Sequence, residues 1–243
     1  MRLAALIREA GGEPLEIPSL EICELPDLQA FFSVADRLES FDWAVFVSRN
    51  AVRRALALIR ERRGGRPWPA RLRMAAVGSG SREELATLGF GAVAAPTAQA
   101  DSEALLALPE FADVAEKRIA IFRGEGGRKF LGETLAARGA LVEHAPCYRR
   151  ALPAAGGAQL DAAWKSGKVD AVMISSGEGL ANVLEMLGGE GVRRLGGIAL
   201  FVPHQRIARE AAALGLECVV VAGPGDAESA AALVAYFGGA GYN

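Results

Sequence analysis

Short apolar runs alternate with amphipathic stretches through most of this chain. The pattern predicts strands over 43–47, 73–77, 92–95, 118–122 and 141–145. Between them it predicts helices over 50–62, 81–88, 102–108 and 129–138. Gly89 and Gly139 follow two of these helices as stop signals, and Pro109 ends a third. The helix over 50–62 is basic on one side. Further on, strands are predicted over 171–174, 198–202 and 218–221, with helices over 180–187, 206–214 and 229–237. Strand–helix alternation of this kind calls for parallel sheets covered by helices on both faces. The Pro-, Gly- and Ala-rich stretch 151–157 reads as a linker, and 26–32 as a second soft junction.

The two halves resemble each other in permuted order. Val45-Phe46-Val47-Ser48 matches Val172-Met173-Ile174-Ser175, each ahead of a helix. The strand–turn–helix ending in Leu88-Gly89 matches the one ending in Leu214-Gly215. Ala100-Asp101-Ser102-Glu103-Ala104 matches Asp226-Ala227-Glu228-Ser229-Ala230 loosely. Gly11 pairs with Gly139 and Pro18 with Pro146, both 128 residues apart. Residues 1–20 and 155–243 therefore make one discontinuous α/β domain around a second, 36–145, with 21–35 and 146–154 as linker strands. The counterpart of the strand at 118–122 falls before residue 1, so the N-terminal domain lacks its first strand. In a flavodoxin-like order that strand is interior, and its loss leaves neighbouring backbone groups unpaired. A truncated or misannotated start is the expectation. A two-part sheet that tolerates the gap is the alternative.

Composition narrows the function classes. Length, 243 residues, fits one large domain or two small ones, and 27 basic against 29 acidic residues give a net charge of −2. That balance argues against a general nucleic-acid or membrane surface, although not against a local basic cleft. Cys23, Cys147 and Cys218 lie far apart without CxxC spacing, and only His144 and His204 are histidines. Neither a disulfide framework nor a metal cluster is expected. The start lacks the apolar core of a signal peptide, and no run approaches the ~20 apolar residues of a membrane span. A cytoplasmic protein is expected.

Turns after parallel strands converge on one crevice, and the helix N-termini they lead into favour anions. Those turns hold Ser48-Arg49-Asn50, Gly78-Ser79-Gly80-Ser81, Ala100-Asp101-Ser102 and Arg123-Gly124-Glu125-Gly126-Gly127-Arg128-Lys129. Later turns hold Ser175-Ser176-Gly177 and His204-Gln205-Arg206. Small hydroxyls, glycines and arginines of this kind suit an acidic small molecule held by backbone N–H groups and guanidinium forks. They contain no acid/base pair or nucleophile–base set. Plainer roles compete: Ser48, Ser81 and Ser102 as helix caps, Gly124, Gly126 and Gly127 as turn glycines, His204 as a loop residue, Arg53 and Arg54 as a solvated helix face. His144 reads as structural. Tyr148 is either a packing aromatic or a proton donor.

Taken in order, these segments resemble the uroporphyrinogen-III synthase family. The resemblance rests on Phe46-Val47-Ser48-Arg49-Asn50-Ala51-Val52, Ala76-Val77-Gly78 and Ser102-Glu103-Ala104-Leu105-Leu106. It continues through Arg123-Gly124-Glu125-Gly126-Gly127-Arg128, Tyr148-Arg149-Arg150, Ile174-Ser175-Ser176-Gly177 and Val202-Pro203-His204-Gln205-Arg206. The resemblance implies two flavodoxin-like domains joined by a two-stranded linker, with substrate between them. It implies cyclisation of hydroxymethylbilane to uroporphyrinogen III with loss of water and no cofactor. Tyr148 would be the acid that assists departure of hydroxide. Ser48, Arg49, Asn50, Gly78, Ser79, Ser102, Arg123, Gly124, Arg128, Ser175, Ser176, His204 and Gln205 would bind substrate. A monomer is implied, with hand-over of substrate from hydroxymethylbilane synthase. The family opens with a strand ending in an Arg-Pro turn, which this sequence lacks. The residues leave two rivals: a non-catalytic two-lobed binding protein, and a nucleotide enzyme using Gly124–Gly127.

Overall fold

The computed structural model describes residues 2–97 and 101–239. The first element is helix α1 (Arg2–Glu9), followed by a short strand β1 (Glu21–Cys23) and helix α2 (Gln29–Ala35). Then β2 (Trp43–Phe46), α3 (Arg49–Arg63), β3 (Arg73–Ala76), α4 (Ser79–Thr87), β4 (Val93–Ala94) and α5 (Ser102–Leu106) alternate. They continue with β5 (Arg118–Gly124), α6 (Phe130–Ala137) and the long β6 (Leu141–Ala151). The last stretch carries α7 (Gly156–Lys165), β7 (Ala171–Met173), α8 (Gly177–Leu187) and α9 (Gly191–Gly196). It ends with β8 (Ala199–Val202), α10 (Gln205–Ala213), β9 (Val219–Val221) and α11 (Asp226–Gly239). The chain divides into a central unit, Ile22–Arg150, and a composite unit of residues up to Glu21 with those from Ala151 onward.

In the central unit the strands lie in the order β1-β6-β5-β2-β3-β4. β2, β3, β4, β5 and β6 pair in parallel, with Val45 level with both Ala75 and Ile121. The two-residue period of a strand sorts the side chains. Ala44, Phe46, Ala120 and Phe122 face a core shared with Ala51, Val52, Ala55 and Ile59 of α3. Trp43, Val45, Ile119 and Ile121 face the opposite core, with Phe111 and with Leu131 and Leu135 of α6. Phe46 and Phe122 stack with ring centroids 5.0 Å apart. Residues 29–35, within the segment 21–35 expected as linker, form α2 and bury Phe31, Val34 and Ala35 in the first of these cores. The sequence reading did not foresee that helix, nor α7 and α9.

The composite unit has one sheet, β7-β8-β9, parallel throughout. Leu200 and Val202 face α8 and α10, while Ala199 and Phe201 face Ala232 and Leu233 of α11. The permuted repeat is visible in the packing: α5 packs on α6, and α11 packs on α1. Residues 13–18, the counterpart of β6, form no strand. In the central unit β6 is held by β5. Among the described residues nothing occupies the equivalent slot beside β7, so residues 13–18 have no ladder to join. The same gap leaves β7 at the sheet edge and half-buried, where β2 is buried at every position. Ile17 packs against the core that contains Leu160 and Leu180.

Candidate functional site

The turns at the carboxyl ends of β2, β5 and β6 are tied together by side chains. Ser48 leaves β2 in extended conformation and caps α3, its Oγ accepting the Ala51 N–H at 3.1 Å. The Oγ also lies 3.1 Å from the Tyr148 hydroxyl, which β6 carries. Tyr148 is 1% exposed. Its ring lies against Gly124 at the end of β5, where a Cβ would come within 2.7 Å of the ring. The loop after Gly124 is pinned to β6 by a bond from the Glu125 N–H to the Tyr148 carbonyl, 2.7 Å. Tyr148 thus packs in the core with its side-chain oxygen beside the start of α3.

Arg123 turns back onto its own loop. Its Nε donates to the Gly124 carbonyl at 3.3 Å and its guanidinium also reaches the Gly126 carbonyl. Burial pushes this guanidinium below its ordinary pKa; the Tyr148 oxygen opposes that shift and the Arg150 charge adds to it. The glycine-rich turn is thus held by an internal arginine. Arg128 is exposed, bonds Glu103 at 2.6 Å and stacks over Phe130 at 5.3 Å. Arg49, the first residue of α3, reaches Glu83 at 3.5 Å. Its guanidinium lies against Gly80, where any Cβ would collide with it. Asn50 follows, half-buried.

The helix starts fall into two kinds. Ser48 and Ser176 cap α3 and α8 through their hydroxyls, the second accepting the Gly179 N–H at 3.0 Å. At α4 and α10 the N-caps are Gly78 and His204, and neither start receives a side-chain cap. The first N–H groups of those two helices stay open to an external acceptor. Ser79, His204 and Gln205 are exposed beside them, as is Ser175 beside α8. Ser102 does not cap α5: the preceding Asp101 does, accepting the Ala104 N–H at 2.8 Å. Ser81, also weighed as a cap, sits inside α4, and Ala100 lies outside the described residues.

The roles of four residues were not foreseen from the sequence. Gly80 makes room for Arg49, Asp101 caps α5, Glu125 pins the loop, and Arg138 ties the Leu106 and Phe111 carbonyls at 2.7 Å each. Asp and Ser are equally good caps, so Asp101-Ser102 could not be resolved by type. The other three have no local signal. Among the described residues no group of His, Cys, Asp and Glu could hold a metal ion, and no helix is long and apolar enough to cross a membrane.

The chain matches the family described as HEM4, uroporphyrinogen-III synthase HemD, over residues 1–232. It belongs to the uroporphyrinogen-III synthase family. The uroporphyrinogen-III synthase of Escherichia coli is 30% identical over 226 residues, 92% of this chain and 91% of that protein. The Salmonella typhimurium uroporphyrinogen-III synthase is 37% identical over 182 residues, 72% of this chain and 71% of its relative. Two solved structures share the fold. A uroporphyrinogen III synthase from Thermus thermophilus has a TM-score of 0.64 at 17% identity, covering 100% of this chain and 95% of its own. The Helicobacter pylori uroporphyrinogen-III synthetase gives 0.63 at 15% identity, covering 94% of each chain.

Proposed function

We propose that this chain closes the linear tetrapyrrole hydroxymethylbilane into uroporphyrinogen III, with loss of water and inversion of the last pyrrole ring. The observation that carries this reading is the family match over residues 1–232. The geometry is compatible with it. The substrate bears eight carboxylates, and the open starts of α4 and α10 offer N–H groups aligned with a helix dipole. Gly78, Ser79, His204 and Gln205 take carboxylates there. Ser175 and Ser176 at α8, Ser102 at α5 and Arg49, Asn50, Arg123, Gly124 and Arg128 add further contacts. Arg49 and Arg128 already hold Glu83 and Glu103, so a substrate carboxylate engages them by displacing a surface ion pair, which is cheap.

The chemistry begins with protonation of the terminal hydroxyl, which leaves as water and gives an azafulvene cation. Unassisted closure joins the chain ends directly and gives the type I isomer. The type III isomer needs attack at the substituted carbon of the last ring, through a spiro intermediate. Holding the ends in one pose is thus the main task. Positioning supplies roughly several kcal/mol, and each ~1.4 kcal/mol is a tenfold preference. Tyr148 is the source of the proton. Replacement of Tyr148 by Phe tests that role: a turnover rate equal to the parent's would refute it.

The nucleotide-enzyme rival is disfavoured by the family match over residues 1–232. We further propose that the protein works as a cytoplasmic monomer and receives its unstable substrate from hydroxymethylbilane synthase. A dilution series that separates coupled from uncoupled assays tests the hand-over.

A further inference from the structure

The Tyr148 phenol is 1% exposed, and among the described residues its hydroxyl has a single partner, Ser48 Oγ at 3.1 Å. A buried O–H with one partner donates to it, because an unmade donor costs its full desolvation. Ser48 Oγ also accepts the Ala51 N–H at 3.1 Å. A serine hydroxyl has two acceptor positions and one proton. Both acceptor positions are now filled, one by the helix and one by the phenol, so the serine proton has nowhere to go but outward. Ser48 is only partly buried and stands at the carboxyl end of β2, where a doubly wound sheet meets its ligand.

We propose that Ser48 is the group that touches the leaving hydroxyl, and that Tyr148 delivers its proton through Ser48. This rests on the proton-donor reading of Tyr148 and changes which atom meets the substrate. In one concerted step Ser48 Oγ–H passes its proton to the terminal hydroxyl of the substrate. The C–O bond breaks, its electron pair leaves with oxygen as water, and the cation spreads into the pyrrole. Tyr148 Oη–H refills Ser48 and becomes phenolate. The phenolate recovers its proton when the closing carbon loses one and its pyrrole ring regains aromaticity. Net change is loss of water, with no oxidant or reductant. The Arg123 guanidinium, bonded to the carbonyl of Gly124 against which the Tyr148 ring lies, offsets the charge that develops there. The α3 cap holds Ser48 in register for both transfers.

The test compares Ser48→Ala, Tyr148→Phe, the double variant and Ser48→Thr, each supplied with freshly made hydroxymethylbilane. Ser48→Gly, which deletes the hydroxyl while keeping most of the capping preference, is run in parallel so that losses are read on a folded chain. A relay predicts that Ser48→Ala and Tyr148→Phe each lower kcat about a hundredfold with KM near the parent's. The double variant is then no worse than the lower single, and Ser48→Thr recovers most of the loss. In mixed light and heavy water the parent's rate curves with deuterium fraction, as two moving protons require, and the Tyr148→Phe rate is linear. A Ser48→Ala enzyme with the parent's kcat, beside a crippled Tyr148→Phe enzyme, overturns the relay and leaves Tyr148 as direct donor. A Ser48→Ala enzyme altered only in KM also overturns it, making Ser48 a carboxylate holder. Parent-like kcat in Tyr148→Phe removes the proton-donor reading and the relay together.

Discussion

Ser48 and Ser176 stand 128 residues apart and begin their helices with nearly the same backbone, φ −161°, ψ 163° and φ −159°, ψ 160°. Each hydroxyl accepts the N–H three residues on. The two units thus start α3 and α8 by the same device, and among the described residues only the central one adds a tyrosine to it. Removing the Ser176 cap should cost stability without touching the Tyr148 pair. Ser176→Ala is expected to destabilise the chain by ~1 kcal/mol and Ser176→Gly by a few tenths. Chemical denaturation checks the order; equal stabilities for Ala and Ser would contradict the cap.

Among the described residues, Gly124 is the one glycine whose missing Cβ makes room for the Tyr148 ring, at 2.7 Å. Gly124→Ala is expected to cost about 1–3 kcal/mol through overpacking and to lower turnover by displacing the phenol. Thermal melts with rate measurements read both. A variant as stable and as active as the parent would mean that the ring does not need that space.

His144 gives the fold an acid-sensitive point. Burial, then the Arg123 charge, holds its pKa below the ordinary 6.5. The unfolded chain therefore binds the proton more tightly than the folded one. The contribution of His144 is complete above the ordinary value and is lost as pH falls through the lowered one. Melting temperature should fall on acidification, and His144→Gln should flatten that limb. Identical limbs in parent and variant would reject the assignment.

The cysteines should differ in reactivity. Burial pushes the Cys147 thiol up to about 12, whereas Cys23 and Cys218 are partly exposed. Since the thiolate is the nucleophile, iodoacetamide should label Cys23 and Cys218 and spare Cys147 until the protein is denatured. Labelling of all three in the native chain would show that the β6 end opens.

Much of the architecture was legible because burial and period coincide. Trp43–Phe46 and Arg118–Gly124 are apolar runs with alternating cores, and Gly89, Gly139 and Gly215 close helices as read. The repeat was legible too, but one pairing slipped by a residue: Val45–Ser48 was set against Val172–Ser175, whereas the caps equate Ser48 with Ser176. Two serines in a row give no local way to choose. Residues 13–18 align with the start of β6, yet a strand exists only where a neighbour offers hydrogen bonds, which an internal repeat cannot report. Helix α2 hid in a segment read as a junction because Phe31 and Val34 are recruited by a core assembled from distant strands. Among the candidate residues, position was readable and partnership was not. Arg123 was read as a ligand for carboxylates, and its bonds to the carbonyls of its own loop had no signal in the sequence.

The account stands most directly on the isomer formed. Freshly prepared hydroxymethylbilane, incubated with the purified chain, oxidised and resolved by chromatography, should give uroporphyrin III well in excess of the buffer control. Uroporphyrin I alone, in the amount that buffer produces, would contradict it.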